Sequence, residues 1–243
     1  MERYIPPYEI SNKMLDYVAN IMEKIGRIDN YTNLNRMPVL RRNNRINSIH
    51  SSLAIEANSL TINQIKDVIY GKVVIGPNKE IQEVKNAYNA YEKISETNPY
   101  DINELKKIHG IMTFLTVEES GEFRKGNEGV FDGDRCIFMA PKPELVPSLM
   151  EQLFTYINEA KEEVHPLILA AVFHYEFLFI HPFADGNGRM ARLWQTILLS
   201  KWKEVFEYIP LETMIKKYQN EYYTVINNCN KNGNSNEFIE FML

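Results

Sequence analysis

The sequence predicts an all-α fold with one small β-hairpin, on three observations. Apolar residues recur at helical spacing in nine segments, near 8–26, 47–57, 62–70, 80–95, 102–114, 143–162, 166–180, 188–202 and 211–231. Only 128–139 reads as paired strands, and the run over 167–180 is apolar almost all round, which for a helix means burial in the middle of a globular domain.

Each element has a local reason. Thr61 and Asp101 supply side-chain acceptors where the third and fifth segments begin. In the stretch Glu128-Gly129-Val130-Phe131-Asp132-Gly133-Asp134-Arg135-Cys136-Ile137-Phe138-Met139, Asp132-Gly133 is a two-residue turn signal, because type I′ turns require positive φ at both central positions. Pro166 suits the first turn of the buried rod, and Pro182 cannot continue its hydrogen bonding, so His181 emerges at the rod's tip. No linker or repeat divides the chain, which reads as one domain with an N-terminal helical segment, 1–75, and a core, 76–243.

The residues after the rod carry the chemistry. His181-Pro182-Phe183-Ala184-Asp185-Gly186-Asn187-Gly188-Arg189-Met190-Ala191-Arg192 joins a base, an acid, a glycine-flanked loop and two guanidiniums. Glycines at 186 and 188 let the backbone approach an anion and turn N–H groups toward it. Arg189 and Arg192, at i,i+3, project from one face of a helix starting there, at the end where the dipole favours negative charge. The combination reads as a site for a nucleotide's phosphates.

This segment resembles the signature of Fic domains, H-P-F-x-D/E-G-N-G-R-x-x-R, with every fixed position filled. The resemblance implies a helical core around the signature and transfer of AMP from ATP to a hydroxyl side chain of a target protein. It makes His181 the base that takes the hydroxyl proton, which an ordinary pKa near ~6.5 suits at neutral pH. Asp185 becomes the ligand of a magnesium ion bridging phosphate oxygens. Gly186, Asn187 and Gly188 offer amide hydrogens to phosphate, and Arg189 and Arg192 grip the β- and γ-phosphates. Relatives acting as kinases typically carry lysine where Gly188 stands, so glycine favours AMP transfer.

Upstream, Ser52-Leu53-Ala54-Ile55-Glu56-Ala57-Asn58 is similar to the family's inhibitory motif S/T-x-x-x-E-G/N. Ser52 and Glu56 are i,i+4 and share a helical face. In the family this glutamate pairs with the second signature arginine, here Arg192, and a bidentate carboxylate would compete with a γ-phosphate for its donors. Ala57 departs from the pattern, and its methyl is expected to loosen the approach of the inhibitory helix while keeping the register of Glu56. The resemblance also makes the 128–139 hairpin a flap that aligns a target protein by main-chain pairing, with Gly121-Glu122-Phe123-Arg124 leading into it. Near the C-terminus it assigns Tyr223 and Asn230, seven residues apart on one helical face, to the adenine and ribose. It extends from about Pro7-Tyr8-Glu9-Ile10 to Phe238-Ile239-Glu240-Phe241.

Composition bounds the rest. A chain of 243 residues, 44% hydrophobic, buries one substantial core, and His174 and Glu176 interrupt its longest apolar run, excluding a membrane span. The start lacks a secretory pattern, and Cys136 and Cys229 make no disulfide framework, so a cytoplasmic protein is expected. A net charge of −5 argues against nucleic-acid binding. Arg41, Arg42 and Arg45 are expected to form a solvated helix face. His50, His109, His165 and His174 lack metal-ligand spacing and read as structural or surface residues. Three functions fit: an autoinhibited adenylyltransferase; another nucleotidyl or phosphodiester transfer, or AMP removal, at the same site; and a silent interaction module, disfavoured because His181 and Asp185 are intact. Oligomeric state is left open, though a homo-oligomer could control release of the inhibitory helix.

Overall fold

A computed structural model describes residues 4–31, 37–132 and 135–243. Its helices are α1 (Asn12–Tyr31), α2 (Pro38–Ile55), α3 (Ile62–Ile69), α4 (Asn78–Tyr91), α5 (Ile102–Met112), α6 (Val146–Ala160), α7 (Pro166–Ile180), α8 (Asn187–Trp202), α9 (Leu211–Lys217), α10 (Gln219–Asn232) and α11 (Asn236–Met242). One antiparallel hairpin, β1 (Gly129–Asp132) and β2 (Arg135–Met139), lies between α5 and α6.

The axis is α7, the apolar rod. Every residue from Leu167 to Phe177 is buried. Trp194 of α8 stacks on Phe173 at 6.3 Å, and Phe154 of α6 meets Phe173 edge-on at 5.7 Å. The rod's polar residues are satisfied, as buried polar groups must be. His174 Nδ1 lies 2.5 Å from Gln195 Oε1 and Nε2 lies 2.8 Å from the Tyr222 hydroxyl, while Glu176 accepts a 2.6 Å bond from Tyr4.

Helix α2 packs on α9, α4 and α8. Glu212 of α9, fully buried, accepts 2.7 Å bonds from Ser48 of α2 and Tyr91 of α4. The last carbonyls of α2, which have no partner within the helix, are capped by Lys216 Nζ on Ala54 at 2.8 Å and Gln219 Nε2 on Ile55 at 3.2 Å. The arginine cluster departs from the solvated face expected of it. Arg45 pairs with Glu92 and Glu207, and Arg41 donates to the Tyr208 hydroxyl while lying over its ring at 4.1 Å; Arg42 is exposed. Two of the three therefore fasten α2 to its neighbours.

The expected caps are present. Thr61 closes a capping box with Gln64, and Asp101 accepts from the Asn103 amide at 2.8 Å. Several boundaries differ, among them α1, which runs Asn12–Tyr31 rather than 8–26. Helix α2 starts at Pro38, where a proline at the first position preorganises the turn, rather than near 47. The single helix expected over 211–231 breaks at Tyr218, whose φ of −110° and ψ of 32° are not helical. Ile215 of α9 still packs in one cluster with Tyr222, Val225 and Cys229 of α10, beside Tyr175 and Phe238, while Glu212 of α9 turns to α2 and α4.

The hairpin pairs Gly129 with Met139 and Asp132 with Arg135, and the register shifts between Val130 and Phe131, leaving an extra residue on β2 between Cys136 and Phe138. Gly133 of the expected Asp132-Gly133 turn lies outside the described residues. Phe138 packs against Phe179 at 5.5 Å, which seats β2 at the end of α7. Among the described residues no helix is long and apolar enough to cross a membrane.

Candidate active site

His181 ends α7 in the left-handed region, φ 52°, its amide donating to Phe177 at 2.9 Å. Its Nδ1 faces the Leu178 carbonyl at 3.4 Å; a carbonyl only accepts, so Nδ1 carries the hydrogen and Nε2 keeps the basic lone pair. Burial lowers the imidazole's pKa and Arg124 adds to this, opposed by the Leu178 bond, Glu56 and Asp185. The ring is therefore neutral at pH 7, as a base must be.

Arg124 holds this end of the rod. Its buried guanidinium donates to the carbonyls of His181 at 2.7 Å, Ile180 at 3.4 Å, Gly126 at 2.7 Å and Pro141 at 2.5 Å, and its own amide donates to Pro182 at 3.0 Å. A cation thus satisfies the orphan carbonyls at the negative end of α7 and ties the imidazole to both ends of the hairpin.

The loop that follows is set from two sides. Asn187, buried, closes it with Nδ2 to the Phe183 carbonyl at 2.7 Å and Oδ1 from the Phe183 amide at 3.0 Å. From α5, His109 stacks on Phe183 with ring centroids 3.6 Å apart. Its Nδ1 accepts from the Gly121 amide at 2.9 Å, so Nε2 carries the hydrogen and donates to the Asp185 carbonyl at 2.9 Å. Burial pushes His109 down to about 4, and it stays neutral. The sequence marked His109 only as a structural or surface residue; its contact with the signature comes from the packing of α5 and has no local sequence signal.

Gly186 caps α8 at φ 86°, a conformation that favours glycine. Its amide donates to Asp185 Oδ1 at 2.5 Å, so it is engaged by the neighbouring carboxylate in this arrangement. The amides of Asn187, Gly188 and Arg189 belong to the first turn of an α-helix, where no intrahelical acceptor exists. Asp185, half-exposed, also accepts from Arg189 at 2.9 Å. Arg189 is buried, and its Nε has no acceptor among the described residues.

Arg192, also buried, donates from Nε to Ser52 Oγ at 3.1 Å and from one terminal nitrogen to the Ser52 carbonyl at 3.1 Å and to Glu56 Oε1 at 2.7 Å. Burial alone would lower the guanidinium's pKa, but Glu56 more than offsets this and holds it above its ordinary value. The expected bidentate pairing is replaced by a single bond to Glu56, and Ser52 engages Nε and shares the same terminal nitrogen. Glu56 is the residue that ends α2, and Ala57 follows at φ 64°. The alanine therefore adopts the left-handed conformation that glycine or asparagine favours, and the carboxylate still reaches Arg192, contrary to the looser approach expected. A Cβ on Gly188 would lie 2.3 Å from Glu56 Oε1, so these two residues fit together only because 188 is glycine.

Tyr223 and Asn230 both lie on α10. Tyr223 is partly exposed and close enough to Glu56 and Arg192 to feel both, its pKa raised first by burial and then by Glu56. Asn230 Oδ1 accepts from the Tyr175 hydroxyl at 2.9 Å, so its side chain braces α7. Among the described residues no group of three or more His, Cys, Asp or Glu could hold a metal ion by itself. The single half-exposed carboxylate of Asp185 fits magnesium, which usually takes one or two carboxylates with phosphate and water oxygens.

Residues 99–199 match the model of the Fic/DOC family. A crystal structure of a Fic family protein from Desulfovibrio desulfuricans G20 superposes with a TM-score of 0.93 and 43% identity, over 98% of this chain and 73% of that one. Protein adenylyltransferase fic-1 of Caenorhabditis elegans is 26% identical over 86% of this chain and 42% of its own length. Protein adenylyltransferase Fic of Nematostella vectensis is 26% identical over 96% and 54%. The chain spans about half the length of these curated relatives.

Proposed function

The chain belongs to the Fic family, and on that premise we propose that it is a protein adenylyltransferase, moving AMP from ATP to a hydroxyl side chain of a target protein and restrained by Glu56. The observation that carries the reading is the start of α8: two buried guanidiniums, one with a buried N–H lacking an acceptor, beside open first-turn amides and a neutral imidazole. In this reading Nε2 of His181 takes the proton of the target hydroxyl as its oxygen bonds to the α-phosphorus. The bond to the β-phosphate's bridging oxygen breaks, and pyrophosphate leaves with the electron pair. The first-turn amides with Arg189 and Arg192 steady the charge that gathers on the leaving group. Magnesium, held by Asp185 and phosphate oxygens, would supply further charge neutralisation there.

The target's backbone pairs with the hairpin, whose bulged β2 is seated on α7. Tyr223, beside the Glu56–Arg192 pair, fits one wall of the nucleoside site, and Asn230, whose Oδ1 is taken by Tyr175, has its Nδ2 donors to offer there. The absence of a cysteine framework supports a cytoplasmic location.

The restraint follows from charge. Glu56 occupies a donor of the guanidinium that a γ-phosphate needs, so Glu56→Gly should raise AMP transfer by roughly tenfold or more, the equivalent of one charge-assisted bond. Intact-mass spectrometry of Glu56→Gly, wild type and His181→Ala after incubation with ATP and magnesium tests this. An added AMP mass that needs His181 and grows without Glu56 is expected. Addition independent of His181 would remove the proposed base. Because Glu56 is bound through one oxygen only, its other oxygen suits a second reading in which it orients water to remove AMP; release of AMP from a modified protein that stops in Glu56→Gly would favour that direction.

A further inference from the structure

Glu56 and Arg192 account for one arginine of the pair; the other, Arg189, has its own arrangement. It is almost fully buried, and its only hydrogen-bonded carboxylate among the described residues is Asp185, at 2.9 Å. That carboxylate is also the candidate magnesium ligand, and an oxygen turned toward a cation is lost to the guanidinium. A second carboxylate stands by. Glu83 of α4 places Oε1 3.7 Å from the other terminal nitrogen of Arg189. The distance is within an ion pair but too long for a hydrogen bond, so the arginine's charge is balanced while that N–H stays free for another acceptor.

Glu83 does not hold this position alone. Its Oε2 accepts from Asn58 Nδ2 at 2.9 Å, and Asn58 also donates to the Glu80 carbonyl at 3.3 Å and accepts from the Leu60 amide at 3.2 Å. Ser59 is fixed to the Glu80 carboxylate through its amide and hydroxyl, both at 2.7 Å. The segment immediately after Glu56 is thus stitched to α4 at the turn that presents Glu83.

We propose that Glu83 is a positioning residue for Arg189, held in place by Asn58, and that it keeps this guanidinium oriented toward the β/γ end of a nucleotide when Asp185 engages a cation. The inference rests on the nucleotide reading of the site. It gives residues 56–58 two opposite relations to the phosphate clamp: Glu56 occupies one arginine, and Asn58, through Glu83, prepares the other.

The test is calorimetric titration of the full chain with ATP and, separately, AMP, both with magnesium. The proteins are Glu56→Gly, Glu56→Gly/Glu83→Gln and Glu56→Gly/Asn58→Ala, each with its melting temperature measured. Glu83→Gln keeps shape and can still accept from Asn58, removing only the charge. ATP affinity is expected to fall about tenfold in the Glu83→Gln protein, the scale of one charge-assisted contact, and less in the Asn58→Ala protein, with AMP affinity unchanged. Equal losses for ATP and AMP would overturn the proposal in favour of a packing role. Unchanged ATP affinity would overturn it, and so would tighter binding, which would make Glu83 a competitor of phosphate. If Glu56→Gly itself bound no ATP, the nucleotide reading would fall and this inference with it.

Discussion

Ala57 shows how a departure from a motif is absorbed at a single residue. The sequence suggested that its methyl would loosen the approach of Glu56; instead the carboxylate bonds Arg192 at 2.7 Å and the backbone takes up the difference, at φ 64°. An L-residue other than glycine, asparagine or aspartate pays roughly 1–2 kcal/mol there, of which glycine's greater freedom in the unfolded chain returns part. Ala57→Gly is therefore expected to stabilise the fold by about 0.5–1 kcal/mol, a rise of roughly 1–4 °C in Tm by scanning calorimetry. A fall in Tm would mean that the methyl makes compensating contacts. At this scale the signature was legible because its chemistry is contiguous: base, acid, amides and arginines lie within twelve residues. His109 and Glu83 were not, because each reaches the site from another element and nothing in its neighbours announces the destination, while the sequence marks Arg124 only as part of the entry to the hairpin and not as the clamp on the His181 carbonyl.

At the scale of elements, the seating of α2 depends on a buried carboxylate. Glu212 is fully enclosed and takes hydrogen bonds from Ser48 and Tyr91, so three helices share one charge. Tyr91→Phe preserves the ring and removes one donor, leaving the carboxylate less satisfied; about 1.5–3 kcal/mol of stability should be lost, read as a lower urea midpoint with an unchanged slope. An unshifted midpoint would show that water replaces the hydroxyl. Helix α7 was readable to its ends because a continuous apolar run is bounded by two prolines. The division between α9 and α10 was not, since both halves have helical periodicity and share one apolar cluster, so only the backbone at Tyr218 separates them. Helix α11, seven residues long, is too short for periodicity to declare it.

For the whole molecule, the buried histidine at the crossing of α7, α8 and α10 sets an acid limit. Burial pushes His174 down to about 3, helped by Arg192 and opposed by the Gln195 bond. Above its unfolded value, ~6.5, the ring is neutral in both states and its contribution is complete. As pH falls below ~6.5 the unfolded chain binds a proton that the folded protein refuses, so stability drops by roughly 1.4 kcal/mol for each pH unit until the folded value near 3. Glu176 works in the opposite sense, because burial raises its pKa and the fold favours its protonated form. The comparison that isolates the histidine is Tm against pH for wild type and His174→Gln. The wild type should lose more between pH 7 and pH 5, and parallel curves would contradict the assignment. The chain's linear order carries a consequence of its own. Ser52 and Glu56 precede Arg192 by 140 and 136 positions, so a ribosome has long since released the proposed brake when the arginine it closes is made. A nascent chain that completes α8 therefore already carries both residues of the proposed restraint, so the second arginine is never made before the groups proposed to hold it.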